Sequence, residues 1–288
     1  MAVAGTAYET GAVTSGDGTV IGYRRWGRGP GVVLVHGSMM SAHNLMRLGT
    51  VLGREFTVHL PDRRGRGLSG PYGPGFTPRR AAEDVGALME STGARNVFGL
   101  SAGAVPVLQW AAGGATGYRV ALYEPPLAAG GPAPVAWLPR FEREMARGSR
   151  AAAMVTVARG TEDSRLVSAV PRALLVPLMG LALRAQARGT AEGEVPLLDL
   201  LPTMVDDARL VRDAAGLVGE CGAVRSEVLL LGGSRSARYL GDALDALEGV
   251  LPRVRRVELR GVGHLAADNG GRPELVARAL ATFFRGGD

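Results

Sequence analysis

The sequence predicts an α/β fold in which helices flank a mostly parallel sheet. Short apolar runs alternate with amphipathic stretches in the N-terminal and C-terminal thirds of the 288-residue chain. Such alternation is typical of strands that are each followed by a helix. From about residue 126 to residue 210 the alternation stops and no strand pattern is visible. The sequence therefore predicts one α/β core with a helical insertion.

The strands are predicted in order along the chain. Segments near 8–13 and 20–26 are joined by the turn-like Ser15-Gly16-Asp17-Gly18 and are predicted to form a leading hairpin. Apolar runs predict the remaining strands at 32–35, 56–60, 97–100, 120–123, 227–231 and 254–259.

Amphipathic or apolar stretches between these strands predict the helices. Their expected ranges are 42–52, 79–91, 102–112, 239–247 and 273–284. In the last of them Leu275, Ala279 and Phe283 recur at helical spacing.

The insertion divides the chain into a core of residues 1–125 and 211–288 and a helical segment of residues 126–210. It is rich in Ala, Leu, Met and Arg, and 173–187 is a predicted apolar helix. Four methionines lie in it: Met145, Met154, Met179 and Met204. Methionine adapts to irregular apolar shapes, so these side chains either shape a substrate site or fill the insertion's own core.

Composition indicates a soluble globular protein, with 46% apolar and 21% charged residues. No apolar run approaches the roughly 20 residues that cross a bilayer, and the N-terminus lacks the pattern of a secretory signal. The single cysteine, Cys221, excludes an internal disulfide and fits a reducing compartment. We therefore expect a cytoplasmic protein in which Cys221 is structural.

The net charge of +6 does not indicate a nucleic-acid partner. All 33 basic residues are arginines and they are scattered along the chain, which suggests a coding bias. Nucleic-acid binding calls for a clustered basic stripe or a recognisable reading motif. No metal-ligand cluster or phosphate-binding loop is visible, so we expect neither a metal nor a cofactor.

The strongest candidate for chemistry is the segment Gly99-Leu100-Ser101-Ala102-Gly103, a G-x-S-x-G motif. An apolar run leads into it and a helix of small residues follows, which is the layout of a strand–elbow–helix. Glycine fits the flanking positions because larger side chains clash in so tight a turn. The turn would expose the Ser101 hydroxyl as a nucleophile and place the Ala102 N–H as an oxyanion donor. Pro106 falls early in the following helix, where proline is tolerated.

A second motif, His36-Gly37, ends an early apolar strand. This is the position of the loop that supplies the second oxyanion donor, and the candidate donors are the N–H groups of Ser38 and Met39. By itself the motif is equally compatible with an ordinary strand-to-loop glycine.

A third motif, Gly261-Val262-Gly263-His264, follows the last predicted strand. The chain order of this architecture places the general base after the nucleophile. His264 is the only histidine after Ser101, since the other three precede it. We expect His264 to be the base.

These motifs, with the segment from Pro61 to Gly70 (PDRRGRGLSG), resemble the α/β-hydrolase superfamily with a helical cap. The resemblance covers the first 125 residues and roughly the last 75, and 126–210 occupies the position of the cap. It implies a mostly parallel eight-stranded sheet and oxyanion donors at Ala102 and at Ser38 or Met39. Epoxide hydrolases and haloalkane dehalogenases of this superfamily carry aspartate at the elbow, so Ser101 argues against both.

The chain departs from the family pattern at the triad acid. The family usually places this carboxylate in the loop after the strand that follows the cap, near Ser236 here, but 232–240 contains no acid. A histidine base needs a carboxylate to orient it. Glu124, at the end of the predicted strand 120–123, is the best candidate because it lies on the same edge of the sheet. The alternative is that Glu124 is a loop residue that accepts hydrogen bonds from nearby backbone N–H groups. The triad acid would then be Asp242 or Asp245.

The sequence is compatible with three functions. The first is hydrolysis of an ester, lactone or thioester of a small or medium apolar molecule through an acyl-enzyme on Ser101. The second is non-hydrolytic chemistry, such as C–C cleavage, elimination or cyclisation, with His264 as base. The third is ligand binding without catalysis, because one fold hosts many functions.

Overall fold

The computed structural model describes residues 7–161, 169–188 and 194–286. Its centre is an eight-stranded sheet with the strand order β1-β2-β4-β3-β5-β6-β7-β8. The strands are β1 Glu9–Thr14, β2 Val20–Trp26, β3 Gly31–Val35, β4 Thr57–Pro61, β5 Asn96–Leu100, β6 Arg119–Tyr123, β7 Glu227–Gly233 and β8 Val254–Leu259. β2 pairs antiparallel with β1 and β4, and all other pairs are parallel. The predicted leading hairpin and mostly parallel sheet are confirmed.

Among the described residues, the five predicted core helices lie close to their expected positions, and a short helix at 217–220 was not predicted. They are α1 Met46–Leu52, α2 Pro78–Thr92, α3 Ala104–Ala112, α9 Leu217–Glu220, α10 Arg238–Glu248 and α11 Pro273–Phe284. Two predicted helices begin with a tighter 3-10 turn, at Ala42–Leu45 and at Ser101–Gly103. Pro106 lies in the first turn of α3, where its missing N–H removes no helical hydrogen bond.

The insertion between β6 and β7 is helical and has no strand in its described residues. It comprises α4 Leu138–Ala146, α5 Arg150–Gly160, α6 Arg172–Arg188, α7 Leu197–Leu200 and α8 Met204–Asp213. The predicted helix at 173–187 corresponds to α6. The expected boundary after residue 210 falls inside α8, so that helix links the insertion to the core.

Apolar residues fill both faces of the sheet. One cluster lies between the sheet and α2, α3 and α10, and the other between the sheet and α1 and α11. The central strand β5 is buried at every residue, which explains its unbroken apolar pattern. A third cluster, containing Phe141 and Leu201, lies within the insertion. No described helix is long and apolar enough to cross a membrane.

Candidate active site

Ser101 follows directly after β5 in a strained backbone turn. Its φ is +52°, a left-handed conformation that is unusual for a residue other than glycine. Glycines on both sides make the turn possible. A Cβ at Gly99 would lie 2.5 Å from Ala104 Cα, and one at Gly103 would lie 2.2 Å from the His36 carbonyl oxygen. The turn therefore packs directly against the end of β3, as the G-x-S-x-G motif predicts.

His264 reaches Ser101 from the loop after β8. Its Nε2 lies 2.9 Å from Ser101 Oγ, within hydrogen-bond distance. The Tyr123 hydroxyl donates a 2.8 Å hydrogen bond to the Gly263 carbonyl oxygen and so fixes the residue before the histidine. The serine and the imidazole, 163 residues apart in the chain, are thus within proton-transfer distance.

Glu124 completes the line of side chains. Its Oε2 lies 2.7 Å from His264 Nδ1, and its Oε1 accepts a 2.6 Å hydrogen bond from the Gly233 N–H. The residue is 1% exposed and has a φ of +45°. Since both carboxylate oxygens are engaged, the side chain has one orientation. Asp242 and Asp245, the alternative acids, lie on α10, where Asp245 instead pairs with Arg256.

The end of β7 leaves room for this carboxylate. A Cβ at Gly232 would lie 3.4 Å from Glu124 Oε1, and one at Gly233 would lie 2.4 Å from the Val262 carbonyl oxygen. Gly233 therefore lets the histidine loop approach the end of β7, whereas at Gly232 the closest group is Leu244, whose Cδ1 would lie 2.7 Å from a Cβ. No role was predicted for these glycines. The signal that could have indicated one is the absence of an acidic residue from 232–240.

The loop after β3 lies beside the nucleophile. A Cβ at Gly37 would lie 3.3 Å from both Ser101 Cβ and the Leu100 carbonyl oxygen, so the loop passes in close contact with the elbow. Ser38 and Met39 line the same cavity as Ser101 and His264, and Met39 has a φ of +50°. Ala102 is buried behind Ser101 at the first turn after β5. Ser38 and Met39, two of the residues predicted to supply oxyanion donors, thus lie in the same cavity as the serine, and the third, Ala102, directly follows it.

His36, in its neutral form, holds the start of this loop in place. Its Nε2 accepts a hydrogen bond from the Arg63 N–H at 3.0 Å, so its Nδ1 carries the proton and donates to the Gly37 carbonyl oxygen at 2.9 Å. Burial, together with the charges of Arg66 and Arg63, holds the pKa of His36 well below its ordinary value of 6.5. His36 is therefore a structural residue.

The segment 61–70 contributes ion pairs around the site. Asp62 accepts hydrogen bonds from Arg24 Nη1 at 2.8 Å and from the N–H groups of Ala42 and Leu68 at 2.7 and 2.9 Å. Arg64, in turn, pairs with Asp17 and Asp84. These contacts connect the 61–70 segment to β2, to α2 and to Ala42, at the end of the loop after β3.

A cavity of about 280 Å³ opens above Ser101. Its walls come from the loop after β3, from α5 and α8 of the insertion, and from the ends of the core strands. Most of the lining is apolar and includes Trp137, Val157 and Val211. Of the four insertion methionines, Met154 and Met204 line the cavity. Met204 also belongs to the insertion's own cluster, and Met145 and Met154 pack against it.

The described residues hold no group of three or more side chains suited to a metal ion. Cys221 is fully buried, and burial raises the pKa of its thiol to about 12, which makes it unreactive. The cavity beside Ser101 is therefore the best candidate for the site of chemistry.

An eight-stranded, mostly parallel sheet with a serine on the turn after its fifth strand and a helical insertion is the architecture of an α/β hydrolase. The chain belongs to the alpha/beta hydrolase family, whose model matches residues 32–279. A non-heme haloperoxidase from Rhodococcus erythropolis is 35% identical over 86 residues, an alignment that covers 30% of this chain and only 31% of that relative.

Solved structures agree with this fold along nearly the whole chain. An α/β hydrolase from Sphaerobacter thermophilus is 28% identical with a TM-score of 0.73, covering 95% of this chain and 100% of its own. An enol-lactonase from Burkholderia xenovorans (22% identity, TM-score 0.70, coverage 96% and 100%) also shares the fold. An esterase from Exiguobacterium antarcticum has the same fold, with 16% identity, a TM-score of 0.71, and coverage of 95% of this chain and 98% of its own.

Proposed function

We propose that this protein is a serine hydrolase that cleaves a carboxylic ester, lactone or thioester through an acyl-enzyme on Ser101. The observation that carries the proposal is the continuous line from Ser101 Oγ to His264 Nε2 and from His264 Nδ1 to Glu124 Oε2, with contacts of 2.9 and 2.7 Å. A nucleophile, a base and an acid in this order constitute a catalytic triad. Ester and lactone hydrolases also occur among the proteins of the same fold.

In the proposed reaction His264 Nε2 takes the Ser101 hydroxyl proton as the oxygen attacks the carbonyl carbon. The N–H of Ala102 and that of Ser38 or Met39 donate to the oxyanion that forms. His264 returns the proton to the leaving alcohol or thiol and then activates water, which releases the acid and restores Ser101. Glu124 stabilises the imidazolium during both steps.

The cavity supports an apolar substrate of modest size. Its volume of about 280 Å³ lies at the lower end of the range of roughly 300–1,000 Å³ that is typical of small-molecule sites. Among the described residues of the cavity wall, Asp207 is the one carboxylate. It has no exposed side-chain area and is paired with Arg63 and Arg66. A neutral ester with short apolar groups therefore fits the cavity better than a charged one.

Activity-based labelling tests the proposal. A fluorophosphonate should label the wild-type protein at Ser101, and short p-nitrophenyl esters should be hydrolysed at a rate that Ser101→Ala abolishes. The Ser38→Ala variant is the matched control, because it removes a neighbouring hydroxyl but keeps the backbone N–H. Undiminished ester hydrolysis by Ser101→Ala, or labelling elsewhere, would contradict the proposal. Catalysis that needs His264 but not Ser101 would instead support the lyase or cyclase alternative.

A further inference from the structure

We propose that Arg66 is a positioning residue that couples the insertion to the oxyanion loop, a role that rests on the proposed hydrolase function. Its guanidinium has no exposed area and contacts both parts. Nη1 donates to the Met40 carbonyl oxygen at 3.2 Å, and Nη2 lies 3.2 Å from each carboxylate oxygen of Asp207 on α8. One rigid, planar group therefore connects the loop with the predicted oxyanion donors to a helix of the cavity wall.

The position of Asp207 makes this connection relevant to the substrate cavity. Met204, Ala208 and Val211 recur at helical spacing on α8 and line the cavity, and Asp207 lies on the same side of the helix. Asp207 Oδ1 also lies 2.9 Å from Arg63 Nη2. The ion pairs of Asp207 thus set how close the cavity wall lies to the core.

Met40 lies next to the candidate donor Met39 in the chain. Because Met39 has a φ of +50°, the loop is held in a strained conformation that needs support from its surroundings. The support comes from Arg66 on the Met40 carbonyl, Asp62 on the Ala42 N–H and His36 on the Gly37 carbonyl. Of these three side chains, Arg66 is the one that itself contacts the insertion, whereas His36 reaches it only through Arg63, which pairs with Asp207.

The contrast between Arg66 and Arg64 supports a specific role. Arg64, at the arginine position of the motif D-x-R-G-x-G-x-S, pairs with Asp17 and Asp84 within the core. Arg66 occupies one of the variable positions of that motif, and its carboxylate partner comes from the insertion, 141 residues later. Arg66 and Asp207 therefore form a contact that the motif itself does not require.

The variants Asp207→Asn and Arg66→Lys test the coupling, because both keep the side chain's approximate size. We expect kcat for a short ester to fall about tenfold in each, since small displacements of catalytic groups have effects of this order. The inhibition constant of a short alkylboronic acid, which forms a tetrahedral adduct with serine, should rise by a similar factor. The double variant should lose no more than the worse single variant, because both remove one connection.

Arg209→Met is the matched control: it removes an arginine two residues from Asp207 on α8 whose partner, Glu142, lies on α4 within the insertion. It should leave kcat and the boronate constant within twofold of wild type. Asp207→Asn and Arg66→Lys variants that lose melting temperature but keep both constants within twofold would overturn the proposal and leave a purely structural ion pair.

A second readout is independent of hydrolysis. Amide hydrogen exchange in the peptide containing residues 37–41 should increase in Asp207→Asn, although the ion pairs of Asp207 are with Arg63 and Arg66 and not with that loop. It should stay at the wild-type rate in Arg209→Met. Unchanged exchange in Asp207→Asn would overturn the coupling even if no ester substrate is found. Ester inactivity of the wild type would refute the proposed function alone.

Discussion

Glu124 is the residue on which the chemistry of the site depends most after Ser101 and His264. Its Oε1 accepts from the Gly233 N–H and its Oε2 faces His264 Nδ1, so its two oxygens have different partners. Glu124 thus requires a protonated Nδ1, which leaves Nε2 free to accept the Ser101 proton. The φ of +45° at Glu124 is a strained backbone conformation, so this orientation costs conformational free energy.

We expect Glu124→Gln to lower kcat by roughly 10³–10⁴-fold while the fold is retained. The glutamine oxygen can still accept from Gly233, and its NH₂ group then faces His264 Nδ1. That arrangement favours the tautomer with the proton on Nε2, which cannot act as a base toward Ser101. Steady-state kinetics with a short p-nitrophenyl ester, beside circular dichroism of the variant, measure the effect.

A loss of less than tenfold in Glu124→Gln would assign Glu124 a loop role and direct attention to another carboxylate. Asp242→Asn is the matched control, because Asp242 was the alternative candidate on α10 and its side chain is half exposed. We expect this variant to retain wild-type kcat.

The glycines at the end of β7 act at the level of a structural element. Gly233→Ala would place a Cβ 2.4 Å from the Val262 carbonyl oxygen, so the loop that carries His264 must move. We expect kcat to fall at least tenfold, since a shift near 1 Å at a catalytic group costs about 10²-fold. Gly241→Ala is the control, because a Cβ there meets nothing within 4 Å. Equal kinetics of the two variants would contradict this explanation.

The insertion helices should set the size of the acyl group that the enzyme accepts. Met154 on α5 and Met145 on α4 both pack against the insertion's cluster, and of the two only Met154 lines the cavity. We expect Met154→Ala to shift the optimum of kcat/KM across p-nitrophenyl esters toward longer acyl chains, because it enlarges the 280 Å³ cavity. Met145→Ala, at a partly buried position, should lower stability by about 0.5–3 kcal/mol without moving the optimum. An unchanged optimum in Met154→Ala would place the acyl group elsewhere.

Most elements were predictable because their signals are local. Buried parallel strands such as β5 show as continuous apolar runs, and the elbow shows as glycines around a serine. The partner of His264 was chosen by position on the sheet edge, which topology alone supplies. The contact of Arg66 with Asp207 was not predicted because it joins residues 141 apart whose meeting depends on how α8 packs. The 3-10 turns were missed because propensity does not distinguish them from an α-helical first turn.

Across the whole molecule, stability and activity draw on the same buried polar groups. His36 and His59, at 0% and 4% exposure, lie inside the core that supports the site. Burial, with the charge of Arg25, lowers the pKa of His59 to about 4, and the pKa of His36 is also well below 6.5. The fold therefore holds both rings in their neutral form, whereas the unfolded chain binds protons near pH 6.5.

Acid should therefore destabilise this protein before its carboxylates titrate. A lowered histidine pKa gives stability that is complete above about pH 6.5 and is lost as the pH falls toward the folded-state value, about 4 for His59. At pH 5 the His59 ring contributes a loss of about 2 kcal/mol, and His36 shifts stability in the same direction. Urea unfolding at pH 7.5 and pH 5 measures the difference, and His59→Gln should make it smaller by about 2 kcal/mol. An identical pH dependence in wild type and His59→Gln would show that the ring is already charged, or free to charge, in the folded protein.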